Sequence, residues 1–142
     1  MSGTPHARRT VLRAAALAPA VGLGLTACSS GDGGSNRSAP TAPVDLGKAD
    51  DVKVGASKLY TDRNVVVSRI TDDEYTAYST ICTHARCPIN KLEGRKLVCQ
   101  CHGSQFDATN GKVLKEPAVK PLAELPVKVE NGKIIAGPEK KA

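Results

Sequence analysis

A small all-β domain of antiparallel strands is the fold class the sequence predicts, and three observations predict it. Short runs of β-branched and apolar residues alternate with turn signals at Asp72-Asp73, Glu93-Gly94, Asn110-Gly111 and Asn131-Gly132. No segment after Ala27 has convincing helical periodicity. The stretch from Val44 to Gly137, roughly 95 residues, suffices for one small β domain with a limited core.

The elements follow in order. The β-like pattern begins near Val44, and Val65-Val66-Val67 is a short apolar run bounded by polar residues. Asp72-Asp73 turns the chain, and Tyr75 to Ile81 returns as a strand. Glu93-Gly94 turns into Lys96-Leu97-Val98. Asn110-Gly111 is a turn flanked by Phe106 and Val113. Val127 to Glu130, Asn131-Gly132 and Lys133 to Ala136 form the clearest hairpin, because Asn-Gly readily adopts the positive φ angles of a tight turn. Pro117, Pro121 and Pro126 break up the stretch before it, which is expected to pack as a loop against the cysteine- and histidine-rich end. Internal repeats are absent, and residues 138–142 read as a short tail.

Four residues carry the chemistry. Cys82 and His84 form C-x-H, and after a gap from Ala85 to Val98, Cys99 and His102 form C-x-x-H. Two thiolates and two imidazoles from two short loops are the donor set of a [2Fe–2S] centre in which histidines replace cysteines on one iron. Neutral imidazole in place of thiolate removes negative charge and raises the reduction potential, which points to a one-electron carrier. Cys87 and Cys101 leave each loop with one spare cysteine. A structural zinc site of two cysteines and two histidines is the alternative. Zinc fingers, however, usually show paired cysteines and then paired histidines, whereas each half here contributes one of each. A redox-active Cys99-x-Cys101 pair would leave the C-T-H half unexplained. No independent catalytic residue set is present.

The segments C-T-H-A-R-C-P (Cys82 to Pro88) and C-Q-C-H-G-S-Q-F-D (Cys99 to Asp107) resemble the two cluster-binding boxes of Rieske proteins. The resemblance is strongest to the disulfide-bearing branch that includes the iron–sulfur subunits of quinol–cytochrome c oxidoreductases. Related exported subunits occur in arsenite oxidases and small bacterial Rieske lipoproteins. The resemblance covers Val44 to Gly137 and implies a small Rieske-type antiparallel β fold, with a two-loop cluster-binding subdomain at about residues 81–107 holding one [2Fe–2S] cluster. It implies that Cys82 and Cys99 hold a buried iron and His84 and His102 an outer one near solvent. It further implies a Cys87–Cys101 disulfide and a hydroxyl hydrogen bond from Ser104 to a cluster sulfur. Two departures stand out. Phe106 occupies the place of a tyrosine usual in high-potential members, so a hydrogen bond to sulfur is lost and the potential is expected to be positive but lower. Ala85-Arg86 replaces the Leu-Gly usual in quinol-oxidising members and puts a cation beside the cluster. The implied partners are a cytochrome, a quinol-linked complex or an oxidase large subunit. The alternative within the family, a ferredoxin of a ring-hydroxylating oxygenase, usually lacks the spare cysteine pair and is cytosolic.

The N-terminus bears on location. Ala7-Arg8-Arg9-Thr10-Val11-Leu12-Arg13 reads as a twin-arginine export motif. Ala14 to Ala27 is weakly apolar and interrupted by Pro19, Gly22 and Gly24. It is shorter than the roughly 20 apolar residues of a membrane span and suits a signal-peptide core. Leu25-Thr26-Ala27-Cys28 resembles a bacterial lipobox, so residues 1–27 read as signal peptide and Cys28 as a lipidated first mature residue. An uncleaved amphipathic leader is the alternative. Residues 28–43, rich in Gly, Ser, Pro and Asn, read as a flexible tether with an rms span of roughly 20–25 Å. The expected location is the outer face of the bacterial cytoplasmic membrane, reached in folded form. All five cysteines then have a use: one for lipid, two for iron and two for a disulfide.

Charge excludes one class. The chain holds 20 Lys/Arg and 14 Asp/Glu, net +6. Removing Met1 to Ala27 takes Arg8, Arg9 and Arg13 and no acid, which leaves 17 basic against 14 acidic residues, net +3. Nucleic-acid binding is not indicated, and the absence of tryptophan argues further against a base-stacking surface. A mildly basic carrier would favour an acidic redox partner, although a charge this small usually only solvates the surface.

Overall fold

The computed structural model describes residues 37–139. The expected signal peptide, Cys28, the first part of the expected tether and residues 140–142 lie outside the described residues. The described chain runs β1 (Val44–Lys48), a 3-10 turn (Ala49–Asp51), β2 (Ser57–Tyr60), β3 (Val65–Arg69), β4 (Tyr75–Ser79), β5 (Lys91–Glu93) and β6 (Lys96–Val98). It continues through β7 (Gln105–Asp107), β8 (Val113–Lys115), β9 (Glu124–Leu125), β10 (Val127–Glu130) and β11 (Lys133–Ala136). These pair into three antiparallel sheets ordered β1-β11-β10, β2-β3-β4-β9 and β5-β6-β7-β8. The all-β expectation holds.

The Val65-Val66-Val67 run explains how two cores share one strand. Successive side chains in a strand point to opposite faces. Val65 and Val67 enter a core with Leu46, Ala77, Leu125 and Ile134. Val66 points the other way, into a core with Tyr78, Leu97, Phe106 and Leu122. Both faces of β3 are therefore covered, and the usual polar alternation is lost. Burying a side chain such as Leu97 or Phe106 contributes about 1.5–3 kcal/mol. The second core also holds Cys82 and Cys99, so the cysteine- and histidine-bearing end is continuous with the hydrophobic interior.

Side-chain hydroxyls tie the β2-β3-β4-β9 sheet to the third sheet. The buried Ser68 hydroxyl donates to the carbonyl of Ala108 (2.8 Å), and Thr76 Oγ1 donates to that of Thr109 (3.0 Å). Both carbonyls belong to the turn after β7.

Some boundaries differ from the sequence-based expectations. The strand expected over Tyr75 to Ile81 ends at Ser79. Thr80 leaves the ladder, donating its N–H to the carbonyl of Asn64 and accepting from the N–H of Ile89. The chain must turn out of the sheet there to start the first cysteine loop, and Ile81 keeps only an isolated bridge to Pro88. The proline-broken stretch contains β9, paired to β4 through Ala77–Leu125 and Tyr78–Glu124. Its two residues lie between Pro121 and Pro126, where a longer strand would lose N–H donors. Packing also starts ahead of Val44: Ala39 and Pro40 are buried, and the Pro40 carbonyl accepts from the N–H of Glu139. The hairpin β10–β11 forms as expected, with Asn131 at φ 51° and Gly132 at φ 73°.

Candidate metal centre

The two loops that carry the cysteine–histidine motifs join β4 to β5 and β6 to β7. Their backbones are built alike. In the first, the N–H of Arg86 donates to the carbonyl of Cys82 (2.9 Å) and the N–H of Cys82 to that of Cys87 (2.8 Å). In the second, the N–H of Gly103 donates to the carbonyl of Cys99 (2.9 Å) and the N–H of Cys99 to that of Ser104 (2.8 Å). Each loop needs a left-handed residue four places after its first cysteine, and Arg86 (φ 59°) and Gly103 (φ 81°) fill that place. Glycine does so freely, whereas an L-residue with a Cβ meets a cost of about 1–2 kcal/mol. The chain therefore does repeat at this end, in backbone rather than in side chains. Reading residues alone missed it because the only shared signal is a spacing of five, Cys82 to Cys87 and Cys99 to Ser104.

The alike loops present unlike surfaces. Cys82 and Cys99 are free thiols, each 1% exposed, at the inner end of the loops. His84 and His102 are exposed, with ring centroids 4.8 Å apart and planes at 86°, edge to face. Burial pushes the Cys99 thiol up from its ordinary value. The N–H groups of Cys101 and His102 act against that, and the neighbouring Cys82 side chain adds to it. The buried Cys99 thiol is costly to ionise without a cation to receive it, which is the condition under which a thiolate serves as a metal ligand.

Cys87 and Cys101 are joined in a disulfide that clips one loop to the other, with Cα atoms 6.6 Å apart. The sulfurs of Cys87, Cys99 and Cys101 lie within 4.8 Å of one another. Two of these three are already bonded to each other, so the trio is not a ligand set. It places the disulfide against the buried Cys99 thiol.

A third loop closes on both. Thr83 Oγ1 donates to the carbonyl of Lys120 (2.7 Å). The N–H of Ala118 donates to Ser104 Oγ (3.0 Å), and that of Leu122 to the carbonyl of Gly111 (2.9 Å). The proline-rich segment thus packs where the sequence suggested. Thr83 and Ala118 have positioning roles that no motif announced, because one partner of each bond is a backbone atom. Ser104 is fully buried, and by accepting from Ala118 its hydroxyl keeps its own proton to donate. Phe106 is fully buried in the same core as Cys82 and Cys99, opposite Leu97 in the β6–β7 ladder.

Comparison with known proteins agrees with this geometry. Residues 42–126 match the family model of the Rieske [2Fe-2S] domain. The chain is 36% identical over 94 residues to the cytochrome b6-f complex iron-sulfur subunit of Chlorobaculum tepidum, over 63% of this chain and 50% of that one. It therefore spans about half the length of that relative. It is 38% identical over 139 residues to the cytochrome b6-f complex iron-sulfur subunit 1 of Trichormus variabilis, over 87% of this chain and 73% of that one. Among solved structures, the cyanobacterial plasma membrane Rieske protein from Synechocystis PCC 6803 is 34% identical at a TM-score of 0.54, over 67% of this chain and 99% of that one. The donor set fits the group such a domain holds: two loops joined by a disulfide, each supplying one buried soft thiol and one exposed imidazole. Because the match takes in both cysteine–histidine loops and the proline loop that closes on them, the chain belongs to the Rieske [2Fe–2S] domain family, and the domain binds one such cluster.

Proposed function

We propose that the protein transfers single electrons at the outer face of the cytoplasmic membrane, as a tethered carrier or small subunit of a respiratory or oxidase-type complex. Cys82 and Cys99 would hold the inner iron of the cluster, and His84 and His102 the outer one. The observation that carries this reading is the division of two alike loops into a buried thiol pair and an exposed imidazole pair. When bound, a centre of this class supplies a one-electron couple somewhere between about −150 and +300 mV. The chain's own residues set conditions around it. The core about Cys82 and Cys99 excludes water, and Ser104 has a hydroxyl proton to direct at sulfur. Phe106 offers a ring without a donor, which favours a positive potential below that of tyrosine-bearing relatives.

Three observations bear on the setting. Relatives named as iron-sulfur subunits of cytochrome b6-f complexes support a place in a membrane complex. The Cys87–Cys101 disulfide favours this over the ferredoxin of a ring-hydroxylating oxygenase, which usually lacks that pair. Ala85-Arg86 in place of Leu-Gly weighs against quinol docking. The export and anchoring part of the proposal rests on the twin arginines and on Leu25 to Cys28.

Electron paramagnetic resonance with metal analysis tests the centre. Protein matured in its native host is expected to contain iron and sulfide. Once reduced, it should give the low average g-value of histidine-ligated [2Fe–2S]. Stoichiometric zinc without iron would overturn the reading. Cell fractionation tests location: Cys28→Ala is expected to release the protein from membranes, and Arg8→Lys with Arg9→Lys to block its export.

A further inference from the structure

Charge is unevenly shared along the fold. The span Thr80 to Leu122, which holds both cysteine–histidine loops and the proline loop, has seven basic and three acidic residues, net +4. The other described residues, 37–79 and 123–139, have eight basic and ten acidic, net −2. Within the redox end, Lys91 and Lys96 are both spent on Glu93, at 2.7 and 3.2 Å. Arg95 helps hold the carboxyl of Asp107 below its ordinary range. Arg86, Lys112, Lys115 and Lys120 make no ion pair among the described residues, and Glu116 is the one acid not yet accounted for there.

Three of these exposed cations lie on the loops that carry or hold the histidines and on the strand paired with the exit of the His102 loop. Arg86 follows His84 by two residues in the same loop. Lys120 is fixed through its carbonyl to Thr83, the neighbour of His84. Lys115 lies opposite Gln105, at the start of the strand that leaves the His102 loop. Between the two ties that bind the proline loop to the other loops sits Val119, 80% exposed. A small apolar contact with a predominantly basic rim, Glu116 its one acid, is the form of a transient, steered interface.

We propose that this tip docks an acidic redox protein, a one-electron carrier whose cofactor edge is ringed by carboxylates. Arg86, Lys115 and Lys120 steer it and Val119 makes the central contact. This rests on the electron-transfer reading above and names the chemistry of its partner. One electron leaves the reduced protein and reduces the partner by one; no bond forms or breaks.

Stopped-flow oxidation of the dithionite-reduced, cluster-loaded protein tests it, with an acidic blue-copper protein and a basic cytochrome c of similar potential as probes. The second-order rate with the acidic probe is expected to fall roughly tenfold between about 20 and about 200 mM salt, as the Debye length shortens. The basic probe should show no such fall. R86E/K115E/K120E should lose the advantage for the acidic probe, with its paramagnetic spectrum showing the cluster still present. K48E/K53E, on the scaffold, should keep that advantage. A salt-independent rate with the acidic probe, or equal losses in the two variants, overturns the docking surface. A wild-type protein that even a neutral small-molecule oxidant cannot oxidise would instead break the electron-transfer reading itself. Co-sedimentation with phosphatidylglycerol vesicles that needs the same three cations, without discrimination between the probes, would assign the patch to a membrane surface and overturn the proposal.

Discussion

Replacing Gly111 by alanine tests how firmly the redox end is held to the scaffold. Gly111 has φ +69°, and a Cβ there would meet Tyr78 Cδ1 at 2.7 Å, Tyr78 Cε1 at 2.8 Å and the Leu122 carbonyl oxygen at 3.2 Å. Gly132, at φ +73°, has nothing within 4 Å of its would-be Cβ and serves as the control. For an L-residue the left-handed conformation costs about 1–2 kcal/mol. About 0.4–1 kcal/mol is recovered because the unfolded chain is stiffer. Gly132→Ala should therefore destabilise by about 1 kcal/mol. Gly111→Ala adds overpacking of about 1–3 kcal/mol, because the Tyr78 ring is buried in the core and Leu122 is held by its own N–H to the Gly111 carbonyl. At roughly 4–8 °C per kcal/mol for a domain of this size, Gly111→Ala should lower the unfolding midpoint at least twice as far as Gly132→Ala. The assay is thermal unfolding of the cluster-loaded protein, followed together by far-ultraviolet circular dichroism and visible absorption. Loss of visible absorption should move with the fold, because Leu122 carries the proline loop that grips Thr83 and Ser104. Equal shifts for the two variants would refute the reasoning by showing that Tyr78 does not wall off Gly111.

Three further outcomes are expected. Phe106→Tyr should raise the reduction potential by roughly tens of millivolts in protein-film voltammetry; a less stable protein with unchanged potential would mean that the new hydroxyl finds no sulfur. Cys87→Ala with Cys101→Ala should cost about 3 kcal/mol in apparent stability, the chain-entropy value for a loop of this length, and the visible spectrum should bleach faster; unchanged bleaching would show that the clip does not restrain the loops. Asp107, which burial would raise, is carried below its ordinary 3.8 by hydrogen bonds from the Thr109 hydroxyl and N–H, with Arg95 adding to them. Its contribution is then full above the unfolded value and lost as pH falls through the lower folded one, so Asp107→Asn should flatten the acid limb of a plot of melting temperature against pH, and parallel limbs would refute the assignment.

The parts legible in the sequence were those whose signal is local. Both cysteine–histidine boxes lie within a few residues of chain, and Asn131-Gly132 makes its hairpin by its own φ preferences. The Val65 to Val67 run announced a strand but not that its two faces serve two cores, since one covered face and two covered faces differ only in what packs from afar. The strands β2, Ser57–Tyr60, and β9, Glu124–Leu125, went unread because neither is long enough to show a period. The pairing of β1 with β11 joins Val44 to Ala136 across the domain, and no local pattern encodes such a contact. At the redox end the cysteine and histidine motifs were readable, whereas the backbone closure of each loop and the left-handed conformation of Arg86 were not, because main-chain atoms are the same in every residue.

That main-chain construction separates two kinds of inheritance. The grip on each loop passes through N–H and carbonyl groups: Cys82 with Cys87, Cys99 with Ser104, Thr83 with the Lys120 carbonyl, and Ser104 with the Ala118 N–H. The outward side chains of Ala85, Val119 and Lys120 take no part in it. Substitution can then rewrite what the tip says to its neighbours while the grammar that positions the cysteines and histidines stays the same. A descendant of this chain can change conversational partner without relearning how to hold its cofactor, so the outward letters should drift faster between lineages than the hydroxyl-bearing and left-handed positions beneath them.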